Sequence, residues 1–535
     1  MNQITPPPKI EIIPSSAPFS EAQRSWLNGF FAGLLSDAPT PLSAEQGAAV
    51  MEGATGDGDD GEAPWHDQTM PMTERMKLAE GRPLRRRMMA AMAQQDCGQC
   101  GYDCHNYSEA IASKSEARLN LCVPGGKETA RMLKSLYEDI DKAPAAASST
   151  PSAVPAAATP AVVAEPGRSR DNPAPAKFVG RRLLNKGKSE KETWHIDFDL
   201  SGCGLDYVVG DSFGIFARND LGNVDQIIAL LGASHTTKVR GKTLREVLLD
   251  DVSLAPAPDS LFELISYLTG GTQREKARAL AQGEDPDGDA TTLDVMAVLQ
   301  KFPNVRPHPE AFIEALEALQ PRLYSISSSN NATPGKLSLT VDCVRYVINK
   351  RKRLGLASTF LAERIQAGDE VKVYVQKAHG FALPEDPRVP IIMIGPGTGI
   401  APFRAFLHDR RATGAPGKNW LFFGHQRSDC DFFYADELNA MKTSGLLTRL
   451  SLAWSRDGDK KFYVQDRMRE VGREVWTWLA EGANIYICGD AKRMAKDVER
   501  ALVDIVAQFG ARTTDEAVSF VAELKKQGRF QQDVY

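Results

Sequence analysis

The sequence predicts a multidomain chain of α/β and β class. It would hold a small helical domain built on clustered cysteines, an antiparallel β-barrel or sandwich carrying a helical insert, and a parallel α/β domain. Three observations predict this. Four of the eight cysteines, Cys97, Cys100, Cys104 and Cys122, fall within 26 residues. From Phe178, runs such as KETWHIDFDL and DEVKVYVQ alternate apolar and polar residues as half-buried strands do. From Val389, short apolar strands (VPIIMIGPG, NWLFFGH, RLSLAWSR, NIYICGD) alternate with helical patterns, the βαβ rhythm of a Rossmann-like sheet.

At 535 residues the chain is long enough for about three or four domains. Its 42% hydrophobic and 25% charged residues are those of a globular protein, and no run approaches the roughly 20 apolar residues of a membrane span. The start, MNQITPPPKIEIIPSS, has neither the basic nor the apolar region of a signal peptide, so the expected location is cytoplasmic. Thiols stay reduced there, and clustered cysteines are more often metal ligands than disulfides. A formal charge of −5 argues against general nucleic-acid binding.

Taken in order, residues 1–72 are expected to hold one apolar-rich helix (SEAQRSWLNGFFAGLLSD) and a flexible Gly/Asp-rich stretch. The helix could serve in docking or oligomerisation, or pack on its own neighbour. Residues 73–141 form the cysteine domain: ERMKLAEGRPLRRRMMAAMAQQ as a helix into the first cysteines, one helix between Cys104 and Cys122, and KETARMLKSLYEDID as a last one. Residues 142–177 are an Ala/Pro/Ser linker, spanning roughly 30–35 Å as a coil and about 110 Å if extended as polyproline. The β domain takes 178–388, with helical patterns at about 221–318, and the parallel α/β domain takes 389–535.

The spacing C-x2-C-x3-C with a distant fourth Cys and a following Pro suits an iron–sulfur cluster, since short turns let three sulfurs converge on one cube. A structural zinc site also starts C-x2-C but usually has a second paired knuckle, which is missing here. Unligated thiols remain the third alternative. Cys203, Cys343 and Cys430 read as inert fillers, and His105 is not needed beside four thiolates.

Four further elements carry chemistry. In RLYSISSS (322–329), Arg322 can pair with a phosphate, Tyr324 offers a ring and Ser325 a hydroxyl; alone, this could be a strand with a satisfied Arg. In GPGTGIAPFRAFL (395–407) three glycines after an apolar strand let backbone amides approach a pyrophosphate at a helix start, though a tight strand–helix turn would look alike. SRDGDKKFYVQ (455–465) sets Ser455, Arg456, Lys461 and Tyr463 after a strand, which suits the 2′-phosphate of NADP or a solvated basic loop. YICGDAKRMAKDV (486–498) puts Cys488 at a strand end, as a ligand neighbour or a buried filler.

In this order and spacing, with GDSFGIFARND, GLASTFLA, FFGHQRSDCDFFYADEL and the terminal RFQQDVY, residues 178–535 resemble the FAD/NADPH module of diflavin reductases. Among these they are most similar to the flavoprotein subunit of NADPH-dependent sulfite reductase. The resemblance implies an antiparallel barrel for FAD, with Arg322, Leu323, Tyr324 and Ser325 on the flavin side. Gly355, Leu356, Ala357, Ser358 and Thr359 would hold its pyrophosphate. It assigns Gly395, Pro396, Gly397, Thr398 and Arg427 to the NADPH backbone, Ser455, Arg456, Lys461 and Tyr463 to its 2′-phosphate, and Gln465 and Asp490 to the same cofactor sites. Ser325, Cys488, Asp533 and Tyr535 would flank the hydride path, with Tyr535 stacked on the flavin and displaced by nicotinamide. Such flavoproteins carry an FMN domain ahead of this module, and residues 1–177 do not read as one. The cysteine segment instead resembles small [4Fe-4S] domains of Rnf-type and corrinoid iron–sulfur proteins.

The implied path runs from NADPH to FAD to a [4Fe-4S] cluster to a partner, a sulfite reductase haemoprotein reducing sulfite to sulfide in sulfur assimilation. Rival readings are another acceptor (a nitrite or nitrate reductase or an oxygenase) and an iron–sulfur sensor or interaction subunit. Neither nucleic acid nor membrane is an expected partner.

Overall fold

The computed structural model describes residues 63–68, 70–96, 98, 100–140, 165–378 and 380–535. The proposed N-terminal helix, the oligomer contact through it, and Cys97 lie outside the described residues. Residues 63–535 belong to one compact unit.

The cysteine module has four helices: α1 (Met72–Leu78), α2 (Leu84–Ala91), α3 (Cys104–Ala112) and α4 (Gly126–Ile140). The sequence suggests a single helix across α1 and α2. Gly81 at φ +77° and Pro83 at the start of α2 break it. The side chain of Asp103 caps α3 by accepting from the amide of Asn106 at 2.6 Å. Met88, Tyr107, Ile111, Leu121 and Leu133 are buried in the core, each contributing roughly 1.5–3 kcal/mol. Asp96 accepts from the Cys104 amide at 2.8 Å and pairs with His66 at 2.8 Å, tying the first cysteine turn to α3.

The chain is described again from Glu165, and residues 165–177 are packed structure rather than linker as composition suggests. Val375 donates to the Gly167 carbonyl at 2.9 Å, and strand β1 (Ala174–Leu183) begins inside that stretch. Alternating Ala174, Ala176 and Phe178 point inward, and alanines are small enough to lie under neighbouring strands. β1 joins β2 (Thr193–Asp199) and β3 (Ser212–Ile215) in a six-stranded antiparallel sheet. An insert follows: helices α5 (Leu221–Leu231), α6 (Leu244–Asp250), α7 (Asp259–Leu268), α8 (Gly271–Ala281), α9 (Val295–Lys301) and α10 (Pro309–Glu314), with a small ladder of β4 (Lys238–Val239) and β5 (Lys242–Thr243). The insert closes its own core around Ile227, Leu248, Phe262, Leu299 and Phe312.

Then come β6 (Arg322–Ser325), β7 (Lys336–Asp342), the hairpin β8 (Arg345–Ile348) and β9 (Arg351–Leu354), helix α11 (Leu356–Thr359) and β10 (Glu370–Gln376). The sheet order is β6-β3-β10-β1-β2-β7, and one bridge, Ile326 to Leu339, joins its two edges.

The remaining chain is a five-stranded parallel sheet: β11 (Ile391–Ile394), β12 (Asn419–His425), β13 (Arg449–Trp454), β14 (Asn484–Gly489) and β15 (Phe530–Val534), in the order β13-β12-β11-β14-β15. Helices α12 (Ile400–Ala412), α13 (Ala435–Thr443), α14 (Val464–Glu470), α15 (Gly472–Ala480), α16 (Met494–Phe509) and α17 (Thr514–Lys526) connect them. β11 is fully buried on both faces, which is why IIMI reads as an unbroken apolar run. The strand order reverses between β11 and β14, and a crevice opens at the carboxyl ends of such strands.

Among the described residues no helix is long and apolar enough to cross a membrane.

Candidate functional site

The two sheets meet at that crevice. β6 brings Ser325 opposite Ser212 in the antiparallel ladder, while β14 and β15 place Cys488 and Asp533 side by side in the parallel one. Ser325 Oγ donates to Asp533 Oδ2 at 2.6 Å, and the Cys488 thiol lies 3.7 Å from the same oxygen. Burial pushes the Asp533 carboxyl above its ordinary range, against the opposing hydrogen bonds from Ser325 and Cys488. Burial, with the Asp533 carboxylate beside it, pushes the Cys488 thiol well up, so it is a protonated thiol rather than a nucleophile.

Asp533 and Ser325 face a chamber of about 450 Å³, and Cys488 is fully buried behind Asp533. Tyr535 stands at the chamber with its side chain 58% exposed. Its hydroxyl meets Thr398 Oγ1 at 2.8 Å, and its amide donates to the Gly489 carbonyl at 3.0 Å.

A second cavity, of about 510 Å³, lies between the sheet and the insert and shares Tyr324 with the chamber. Arg322, Gly355, Leu356, Ala357 and Ser358 line it. The Arg322 guanidinium has no ion pair among the described residues; Nη1 donates to the Gln320 and Pro321 carbonyls at 3.4 and 3.3 Å. Burial lowers its pKa, so a cation has been taken out of water without a counter-charge. An anion in the cavity would supply one. A side chain at Gly355 would collide with Ser358 Oγ and Val344, so the backbone can approach closely only because this residue is glycine. Ser358 Oγ accepts from the Val344 amide at 3.1 Å, while Thr359 is fully buried behind the lining and donates its hydroxyl to the Gly355 carbonyl at 2.8 Å. Arg351 and Arg353 are both paired with Asp294 at the insert side.

The glycine turn Gly395–Thr398 follows β11 directly, and a 3-10 turn at Gly397–Gly399 leads into α12. Cβ atoms at Gly395 or Gly399 would strike the Gly399 and Cys488 carbonyls, so this turn packs against the end of β14. Beyond β12 and β13, the Ser455 and Arg456 amides donate to the His425 and Gln426 carbonyls at 2.9 and 2.8 Å. Arg427 Nη1 donates to the Arg456 carbonyl at 3.4 Å, which brings Arg427 and Arg456 to one patch. The Arg456 side chain pairs with Glu190 from the β1–β2 connection. Lys461 and Tyr463 are exposed on the same connection, and Gln465 is half-buried in α14. Leu323 lines the chamber, and Pro396 starts the glycine turn. Asp490 accepts from the Arg493 amide at 2.7 Å, so its carboxylate is engaged at the start of α16.

In the cysteine module, Cys100, Cys104 and Cys122 line one small cavity of about 20 Å³, with Met92, Tyr107 and Leu121 as its apolar walls. Burial pushes the Cys100 thiol up to about 11 and raises Cys122. Arg75 is buried and its Nε has no hydrogen-bond partner among the described residues; burial lowers its pKa, against the opposing influence of Cys104 and Cys122. Among the described residues no three His, Cys, Asp or Glu side chains are spaced for a single ion.

Sequence reasoning missed one wall of the chamber that Ser325 and Asp533 face. Gln68, Gln95, Asp96 and Pro124 of the cysteine module line it together with Ser325 and Tyr535. It also missed Arg75 and the Thr398–Tyr535 hydrogen bond. Of these, only Gln95, Asp96 and Pro124 had a signal, their place beside the cysteines.

Residues 166–296 and 241–360 match the FAD binding domain family, and residues 393–500 match the oxidoreductase NAD-binding domain. The sulfite reductase (NADPH) flavoprotein alpha-component of Photorhabdus laumondii is 44% identical over 359 residues, covering 66% of this chain and 59% of that protein. The same component of Escherichia coli O9:H4 is 42% identical over 377 residues, and that of Serratia proteamaculans 42% over 381; each match covers 69% of this chain and 61% of the relative. The matches thus span about three fifths of the length of these curated relatives. Built of an antiparallel sheet with an FAD-binding match and a parallel sheet with a NAD-binding match, the chain is similar over these domains to the flavoprotein alpha-components of NADPH sulfite reductase.

Proposed function

We propose that this chain is an NADPH-dependent electron-transfer reductase that carries electrons from NADPH through FAD and a [4Fe-4S] cluster to a sulfite reductase haemoprotein, for reduction of sulfite to sulfide. One observation carries the reading: Ser325, Asp533 and Tyr535 share a chamber with Gln95, Asp96 and Pro124, which flank the clustered cysteines. The names of the relatives support the donor and the acceptor.

The residues fit the groups. The uncompensated Arg322 and the glycine cradle at Gly355 suit the FAD pyrophosphate, and Tyr324 lies where the two cavities join, able to back the ring system. When bound, FAD supplies the exchange between a two-electron donor and a one-electron carrier. By accepting from the Ser325 hydroxyl, Asp533 would hold the Ser325 oxygen at the chamber beside a bound flavin, and Tyr535 would cover that face until nicotinamide took its place. Three thiols around one cavity, with buried Arg75 to offset the negative charge of a thiolate-ligated cluster, suit an iron–sulfur centre, with Cys97 as the fourth ligand. In this reading the cysteine module takes the role that an FMN domain has in diflavin reductases.

The test is anaerobic purification followed by NADPH titration with ultraviolet–visible and EPR spectra. Bleaching of the flavin with a growing cluster signal is expected. Bleaching with no cluster signal, or zinc by metal analysis, would sink the relay. Co-purification with a sulfite reductase haemoprotein tests the acceptor.

Arg456→Ala is expected to raise KM for NADPH about 10–100-fold while leaving KM for NADH within about twofold, because a charge-assisted pair to phosphate contributes about 1.5–3 kcal/mol. Steady-state kinetics with both nucleotides checks it; equal loss for both would remove Arg456 from 2′-phosphate recognition.

A further inference from the structure

The chamber's fourth wall belongs to a different module from the rest, so something must hold that module in place. Among the described residues, the contacts that do so include two groups. At the chamber, Gln68 Nε2 donates to Gln532 Oε1 at 3.1 Å, next to Asp533. The cysteine loop lies against reductase side chains there: Gly98 has φ +65°, and a Cβ on it would strike Gln376 at the end of β10. A Cβ at Gly101 would stand 3.3 Å from Arg170 Cδ.

On the far side of the module, α4 meets the insert. Arg131 Nε and Nη2 donate to the two carboxylate oxygens of Asp259 at 2.8 and 2.9 Å. Lys127 Nζ is 3.5 Å from the same carboxylate and 5.4 Å from the centre of the Phe262 ring. A bidentate guanidinium–carboxylate pair fixes orientation as well as distance, which a single lysine contact does not.

We propose that Asp259, with Arg131 and Lys127, is an electrostatic latch that holds the cysteine module closed over the flavin chamber, so that opening of the chamber is governed by the insert. The latch is polar and half-exposed, and the contacts at the chamber are the Gln68, Gln532, Gln376 and Arg170 side chains and the Gly98 and Gly101 backbone; neither group is an apolar core. An interface of this kind releases and recloses, and it weakens as salt screens the pair. The module can then leave the chamber and return without either part unfolding, since each has its own core.

Hydrogen exchange on the full-length holoprotein tests this and reads docking whether or not electrons follow the proposed path. The peptides to follow are 63–68 in the module and 530–535 in the reductase, at low and high salt. Asp259→Lys is expected to raise exchange in both about fivefold, as loss of the pair and a new repulsion imply, with the buried α5 helix unchanged. Lys127→Glu with Arg131→Glu should do the same without touching the insert, and the three substitutions together should restore protection. Unchanged exchange in both folded variants, or release that the charge swap does not reverse, would overturn the latch.

Discussion

Cys122→Ser is expected to abolish the cluster signal and to cut electron delivery to an acceptor protein by at least about 100-fold, while NADPH-driven bleaching of the flavin stays within about twofold. The serine hydroxyl is a hard donor with a very high pKa and does not replace a soft thiolate on iron. Cys122 is also placed to matter: it lines the same cavity as Cys100 and Cys104, from the turn that starts α4. Cys203→Ser is the matched control, since that thiol lies on the reductase side, where it donates to the Leu200 carbonyl at 3.2 Å and packs against the core of the antiparallel sheet. EPR of the dithionite-reduced proteins, with stopped-flow flavin absorbance, separates the two steps. Equal signals in wild type and Cys122→Ser would remove Cys122 from the ligand set.

Asp533→Ala should lower the NADPH oxidation rate by about 10²–10³-fold, with KM for NADPH nearly unchanged. The carboxyl orients Ser325 and sits between that hydroxyl and the Cys488 thiol, so its loss frees both groups at once. Its side-chain contacts are Ser325 and Cys488 and do not reach Arg456, the residue proposed for the 2′-phosphate, which is why binding should survive. The raised carboxyl pKa has a second, separable consequence. In the window just above the ordinary carboxylate range the native chain binds more protons than the unfolded one. The stability due to this group is therefore complete below the unfolded pKa and is lost as pH rises through the native one. Asp533→Asn should flatten that slope in urea unfolding across the window. A slope identical to wild type would show that the carboxyl titrates normally.

The parts of this site that were legible in sequence share a cause. Arg322 opens strand β6, while Gly395–Thr398 and Ser455–Tyr463 lie on the backbone that follows β11 and β13, and a strand with a glycine turn after it leaves a linear trace. The six-stranded and five-stranded sheets were legible for the same reason, as alternation in one and unbroken apolar runs in the other. The docked module was not legible. Gln68 meets Gln532 and Arg131 meets Asp259 across long stretches of chain, and neither pair belongs to a periodic pattern. The end of the linker was misjudged because Ala174, Pro175 and Ala176 have the composition of a flexible tether. The small side chains of Ala174 and Ala176 also fit the inside of β1, against Val373 and Val371. Composition cannot separate those two uses of alanine; strand pairing does.

The helical insert bears on how the protein comes to be folded at all. β3 and β6 pair residue for residue, Ser212 with Ser325, yet the whole insert separates them in the chain. Closing so long a loop carries an entropic penalty unless the loop has first become compact. The insert has its own core and brings its two ends together, with Asn219 donating to the Leu248 and Val252 carbonyls and Val252 bridging Ala318. Lesions deep in that core, far from any cofactor, should therefore surface as slow or failed assembly of β6, the strand that carries Arg322 through Ser325. Screens for loss of activity would then mark residues of the insert core that never touch a reacting atom.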